Sequence, residues 1–353
     1  MFDTPEFVIQ ISSQTFETAR FALLFFKFKT DMHRRDFIKA LSAAACAGFF
    51  AAPSFGADAK KFKMKFSPRL GFSFGVPTAG RDPIKLMEYF KGCGLLAVEG
   101  VCPINHSRKF SPAEIEKQIQ IGEKARELGL EVGSLSSMNE KDVPTMTANK
   151  VRRADGSIVE DKPALRAMLE GQLETTFGVL ERVGSKILII GPGALDRKLD
   201  WRKQYDNVIE NMSFCADICK KRGFVMEIEA LNTVKDHPGV FCVNNTLAAR
   251  IARDVDSPAC GILYDIYHEY MQAGNLSSLD DPNVWKSIVS FHVADAPGRN
   301  EPGSGEIDYA GVFKKIWDKG YRGFIGLEHG QTVKTPEKDA EILKTYRAFD
   351  AQV

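Results

Sequence analysis

From Leu70 onward, short apolar runs alternate with longer stretches whose apolar residues recur at helical spacing. That alternation predicts repeated strand-helix units around a parallel sheet. The predicted strands are Leu70–Phe74, Leu95–Glu99, Glu131–Leu135, Lys186–Ile190, Phe224–Glu229, Gly261–Asp265, Ile288–His292 and Phe324–Glu328. Between them the pattern predicts helices over Pro83–Lys91, Ser111–Leu128, Lys162–Val183, Arg202–Lys221, Thr246–Asp254, Tyr309–Lys319 and Pro336–Phe349. Gly129, Gly184, Gly223 and Gly320 stand near the helix ends, where a left-handed residue closes a helix. Eight strands is the number that closes an α/β barrel, so the expected fold is a single (β/α)8 TIM barrel. The polar stretch Asn139–Asp161 reads as a flexible loop over its mouth.

An open doubly wound sheet is the competing architecture for such alternation. It calls for a glycine-rich phosphate loop after the first strand, and Gly71-Phe-Ser-Phe-Gly75 does not supply one. The chain also carries no P-loop, nucleophile elbow or HExxH motif.

The last four predicted strands, in succession, each end in a residue with metal-binding chemistry: Glu229, Asp265, His292 and Glu328. Strand ends of a parallel barrel converge on one mouth, where three carboxylates and an imidazole suit a divalent cation. Mn²⁺, Mg²⁺ and Co²⁺ fit this donor set, and Zn²⁺ fits as well.

Lysine plus arginine (47) and aspartate plus glutamate (46) nearly cancel, so no basic field exists to hold nucleic acid. A small molecule is the expected partner. The seven cysteines show no CxxC or zinc-finger spacing; Cys215 and Cys219 lie one helical turn apart and are expected to face the core together.

The first 59 residues read as a separate region, with the barrel spanning 60–353. Arg34-Arg35 is followed by the small, apolar, uncharged run Ala40–Ala52, and Ala57-Asp58-Ala59 has the small-x-small pattern of a cleavage site. The segment resembles a twin-arginine export signal, with Met32 as an alternative start. The apolar run is too short for a membrane span. The expected location is periplasmic, reached through the export machinery for folded proteins, with the cytoplasm as the alternative if the signal is unused.

The motifs Glu229-Ala-Leu-Asn232, Tyr264-Asp265-Ile-Tyr-His268, Phe291-His292-Val-Ala-Asp295-Ala-Pro-Gly-Arg299 and Gly326-Leu-Glu328 follow one another at intervals of one strand-helix unit. From Leu70 to the C-terminus the chain resembles the hydroxypyruvate isomerase family of xylose isomerase-like TIM barrels, a broader group that includes ketose 3-epimerases and type-IV apurinic endonucleases. The resemblance implies Glu229, Asp265, His292 and Glu328 as metal ligands, with Glu229 and Glu328 also as the catalytic proton-transfer pair. It further implies an isomerase or epimerase working on an α-hydroxycarbonyl substrate, a sugar or hydroxy-keto acid, through an enediolate. Sugar epimerases carry histidine at the position of His292, where many hydroxypyruvate isomerases have glutamine. His268, Arg299 and Glu99 are the candidate substrate-binding residues. A periplasmic keto-sugar 3-epimerase and a sugar-binding barrel without turnover are the alternatives. A trinuclear nuclease would need extra histidines where Glu99 and Ser136 stand. Families of this kind often form homo-oligomers.

Overall fold

The structure, a computed structural model, describes residues 60–106, 108–136 and 143–353. The export segment and its cleavage site lie outside these residues, as does the start of the predicted mouth loop.

In chain order the elements are β1 (Lys65–Pro68), α1 (Val76–Ala79), α2 (Pro83–Gly92), β2 (Ala97–Val98), α3 (Pro112–Leu128), β3 (Glu131–Val132) and β4 (Leu135–Ser136). Then come α4 (Thr145–Ala148), β5 (Lys150–Arg152), β6 (Ile158–Glu160), α5 (Lys162–Val183), β7 (Ile187–Ile190), α6 (Trp201–Arg222), β8 (Val225–Glu229), α7 (Asn245–Val255) and β9 (Cys260–Asp265). The chain finishes with α8 (Ile266–Ala273), α9 (Pro282–Trp285), β10 (Ile288–His292), α10 (Tyr309–Asp318), β11 (Phe324–Leu327) and α11 (Pro336–Asp350).

Seven strands pair side by side in the order β1-β11-β10-β9-β8-β7-β4, every contact parallel. The remaining arc is completed by β2 and β3. β2 pairs with β3 in parallel, and it meets β1 where Glu99 N donates to Pro68 O at 3.0 Å and Leu70 N donates to Glu99 O at 3.0 Å. β3 and β4 are two pieces of one extended stretch, so the ring is an eight-membered TIM barrel. The predicted fold holds.

The first strand is a correction. Leu70–Phe74 is turn and loop, and the strand is Lys65–Pro68. The signal lies upstream, where Phe62, Met64 and Phe66 are buried and alternate with lysines. Such period-2 patterning belongs to a strand with one wet edge, whereas the apolar run after it packs as a loop on α2. The helices fall within about two residues of their expected ends. Buried carbonyl and amide partners explain a second difference. The stretch after residue 142 is not a free loop: α4 is buried, held by Asn207 Nδ2 to Thr147 O at 2.9 Å and Asn211 Nδ2 to Met146 O at 3.0 Å, and β5–β6 is an antiparallel hairpin. Helix α8 was also not foreseen; Asp265 caps it by accepting from His268 N at 2.7 Å.

Cys215 and Cys219 both face the core from α6, as expected. No helix among the described residues is long and apolar enough to cross a membrane.

Candidate metal and active site

Strands β8, β9 and β10 end on Glu229, Asp265 and His292, and Glu328 follows β11 directly. The parallel register sets His292 beside both Asp265 and Gly326, so the four side chains reach one spot in the mouth. One donor atom from each lies within 4.8 Å of all the others. His292 Nδ1 is 3.4 Å from Glu328 Oε2 and 3.8 Å from both Glu229 Oε1 and Asp265 Oδ2. Yet Nδ1 is buried and makes no hydrogen bond. Three carboxylate oxygens around an orphaned ring nitrogen is the arrangement of donors sharing a centre, and a divalent cation of the hard or borderline kind fits it. Asp265 contributes Oδ2 because Oδ1 is occupied by the cap of α8.

The electrostatics are those of a crowded, dry site. Burial opposes charge on His292, but Glu99 and Glu328 outweigh it and hold the imidazole well above its ordinary range. Burial likewise raises Glu328, and is outweighed by His292, Arg69 and Arg299, which hold that carboxyl well below its usual range. The arginines approach from two sides: Arg69 Nη1 pairs with Oε1, and Arg299 Nη2 donates to Oε2 at 3.1 Å. Arg69 was not singled out in the sequence; it directly follows β1, the strand that was placed too late.

Arg299 reaches the mouth through a loop built on Asp295. That carboxylate is wholly buried, with Oδ1 accepting from Ala296 N and Ile307 N and Oδ2 from Gly303 N and Gly305 N. Arg299 itself adopts φ +57, held by Arg299 N to Asp295 O at 2.7 Å. Its guanidinium stacks 5.3 Å from the Tyr267 ring and sits 3.3 Å from His268 Nε2.

His268 is nearly buried. Burial lowers its pKa, so the neutral ring prevails. Asn232 selects its tautomer. The Asn232 Oδ1 already accepts from Lys235 N and Asp236 N, so the amide Nδ2 must face His268 Nδ1, at 2.7 Å. Nδ1 is therefore the acceptor and Nε2 carries the proton; because the guanidinium is also a donor, the 3.3 Å approach of Arg299 Nη2 is not a hydrogen bond, and both groups present N–H to the mouth.

Glu99, expected at substrate hydroxyls, is placed elsewhere. It is buried behind His292, with Oε1 3.2 Å from Nε2 and Oε2 accepting from Ser67 Oγ at 3.3 Å. Gly326 makes the room, since a Cβ there would stand 2.2 Å from Glu99 Oε2 and 2.5 Å from His292 Cδ2. A second inward carboxylate, Glu227, lies two residues before Glu229, accepting from Ser134 Oγ and from Ser290 Oγ at 2.7 Å; burial pushes it up to about 7. Its alternation with Glu229 along β8 was the sequence signal for an inward-facing position. Glu306 is exposed, and its backbone N donates to Ala296 O at 2.9 Å within the Arg299 loop.

Residues 88–346 match the family model described as xylose isomerase-like TIM barrel. The hydroxypyruvate isomerase of Escherichia coli (strain K12) is 32% identical over 141 residues, 40% of this chain and 53% of that protein. The chain thus spans about half the length of the curated relatives it matches. Among solved structures, a family 2 AP endonuclease from Brucella melitensis superposes with TM-score 0.60 at 20% identity, covering 80% of this chain and 98% of that one. The 3-keto-D-glucoside 4-epimerase YcjR of E. coli gives TM-score 0.59 at 18% identity, with 82% and 100% covered. At these identities the two structures speak for the fold alone.

Proposed function

Since the chain belongs to the xylose isomerase-like TIM barrel family, we propose that it is a metal-dependent isomerase or epimerase, hydroxypyruvate isomerase-like, acting on an α-hydroxycarbonyl substrate through an enediolate. The observation that carries this reading is the meeting of Glu229, Asp265, His292 and Glu328 donor atoms within 4.8 Å, around an unpartnered His292 Nδ1. These four residues would hold the ion. When bound, a divalent cation neutralises negative charge developing on adjacent carbonyl and hydroxyl oxygens.

The chain's own groups supply the proton chemistry. Glu229 and Glu328, from separate strands, flank the space over the cluster, one removing the proton beside the carbonyl and the other delivering it. Delivery to the neighbouring carbon isomerises; delivery to the opposite face of the same carbon epimerises. The His268 Nε2–H donates to a substrate oxygen, and Arg299 holds that oxygen side of the mouth positive. Export through the twin-arginine route is part of the proposal, on the strength of Arg34-Arg35 and the apolar run after them.

The test is deuterium uptake from heavy water, read by mass spectrometry, across hydroxypyruvate, ketoses and oxidised sugars. The Mn²⁺-loaded protein should exchange hydrogen at a carbon beside the carbonyl of at least one of them, and the EDTA-stripped protein should not. Glu229→Gln and Glu328→Gln should each abolish exchange while remaining folded; either retaining activity within about tenfold of wild type would refute the paired-glutamate assignment.

A further inference from the structure

The cluster occupies the β8–β11 side of the mouth. Across from it, over β1, β2 and β4, lies a cleft of about 380 Å³ lined by residues that include Arg69, Phe72, Gly100, Pro103, Ile104 and Ser136. Among the described residues of that lining Arg69 is the one carrying a charge. Its guanidinium touches both halves of the mouth: Nη1 pairs with Glu328 of the cluster, while no described residue accepts from Nε or Nη2. Gly100 lets the side chain lie there, because at φ +55 a Cβ would stand 2.6 Å from Arg69 Cγ.

A guanidinium has donors only, in a planar fork, and its unused edge complements a carboxylate. A phosphate ester, with nearly two charges, would call for a second cation, and the described residues of the lining hold none. Size points the same way. Clefts upward of about 300 Å³ take ligands well beyond a three-carbon acid. We propose that the substrate is an acid of sugar length whose carboxylate, remote from the reacting carbonyl, is received by Arg69. The inference rests on the proposed function, in that the reacting carbonyl is taken to lie at the cluster.

Titration calorimetry of the full chain with Mn²⁺ tests it, using D-gluconate, D-sorbitol, sorbitol 6-phosphate and D-glycerate as probes. Gluconate should bind at least about tenfold more tightly than the other three, the margin of one charge-assisted contact. Arg69→Gln should erase the advantage over sorbitol. Ser136→Phe fills the cleft without touching the Arg69–Glu328 pair, and should weaken gluconate about tenfold while leaving glycerate unchanged. Equal binding of gluconate and sorbitol, tighter binding of the phosphate, or an Arg69→Gln variant as tight as wild type would each overturn the proposal. A separate Mn²⁺ titration distinguishes the two readings: protein that binds no Mn²⁺ yet discriminates through Arg69 fails only the metal assignment, and protein that binds Mn²⁺ without discriminating fails only this one.

Discussion

Replacing Asp295 with alanine should destabilise the barrel by about 4 kcal/mol, because four backbone donors lose their acceptor at once. The four are not equal. Ala296 N and Ile307 N, bonded to Oδ1 at 2.9 and 3.1 Å, are in buried residues and would be left unsatisfied, at roughly 1–3 kcal/mol apiece. Gly303 N and Gly305 N, bonded to Oδ2 at 2.8 and 2.9 Å, belong to exposed glycines that water can reach, so their loss costs about 1 kcal/mol or less together. Asparagine keeps an oxygen at the Oδ1 position, so Asp295→Asn should lose only about 1–2 kcal/mol. Urea unfolding followed by tryptophan fluorescence measures both, with the shift in midpoint converted through an unchanged slope. An alanine variant within about 1 kcal/mol of wild type, or an asparagine variant as damaged as the alanine one, would show that the carboxylate does not organise this loop. Both variants should also raise the KM of any substrate found, since Arg299 rides on the loop.

Glu99→Ala should weaken Mn²⁺ binding by about 10- to 100-fold in titration, because it removes the carboxylate behind His292 Nε2; unchanged affinity would leave Glu99 without a role in orienting that ring. His329 is fully buried, and burial lowers its pKa to about 4. Between its unfolded value near 6.5 and that folded value the unfolded chain binds the extra proton, so stability falls as pH drops through this window, by up to roughly 3 kcal/mol. Urea midpoints at pH 7 and pH 5 should differ less for His329→Phe, which keeps the stacking on Phe74 and Tyr346, than for wild type; equal slopes would refute the assignment. A reporter fused to residues 32–60 should be exported in a manner lost on Arg34→Lys with Arg35→Lys, and unchanged export would argue against the twin-arginine route.

The strand ends Glu229, Asp265, His292 and Glu328 were legible in the sequence because parallel barrel strands are mostly apolar, so an ionisable residue recurring at the ends of four successive strands stands out. The seven longer helices were legible for a similar reason, their caps and 3.6-residue stripes being local properties, whereas the short α1, α4, α8 and α9 were not. Chain order alone then determined the barrel and which four strands would supply the cluster. Tertiary structure decided what no local pattern encodes. A carboxylate's role depends on its neighbours across the ring: Glu99 and Glu229 both lie at strand ends, yet Gly326 opens a space that turns Glu99 behind His292 while Glu229 faces the mouth. The tautomer of His268 depends on which way the Asn232 amide points, and that on two backbone donors three and four residues further along. Arg69 meets Glu328, 259 residues away in the chain, only because β1 and β11 pair to close the ring. Hydrophobic periodicity reports which side of an element is buried; which polar groups then meet is set by register and ring closure, and those exist only in the folded barrel.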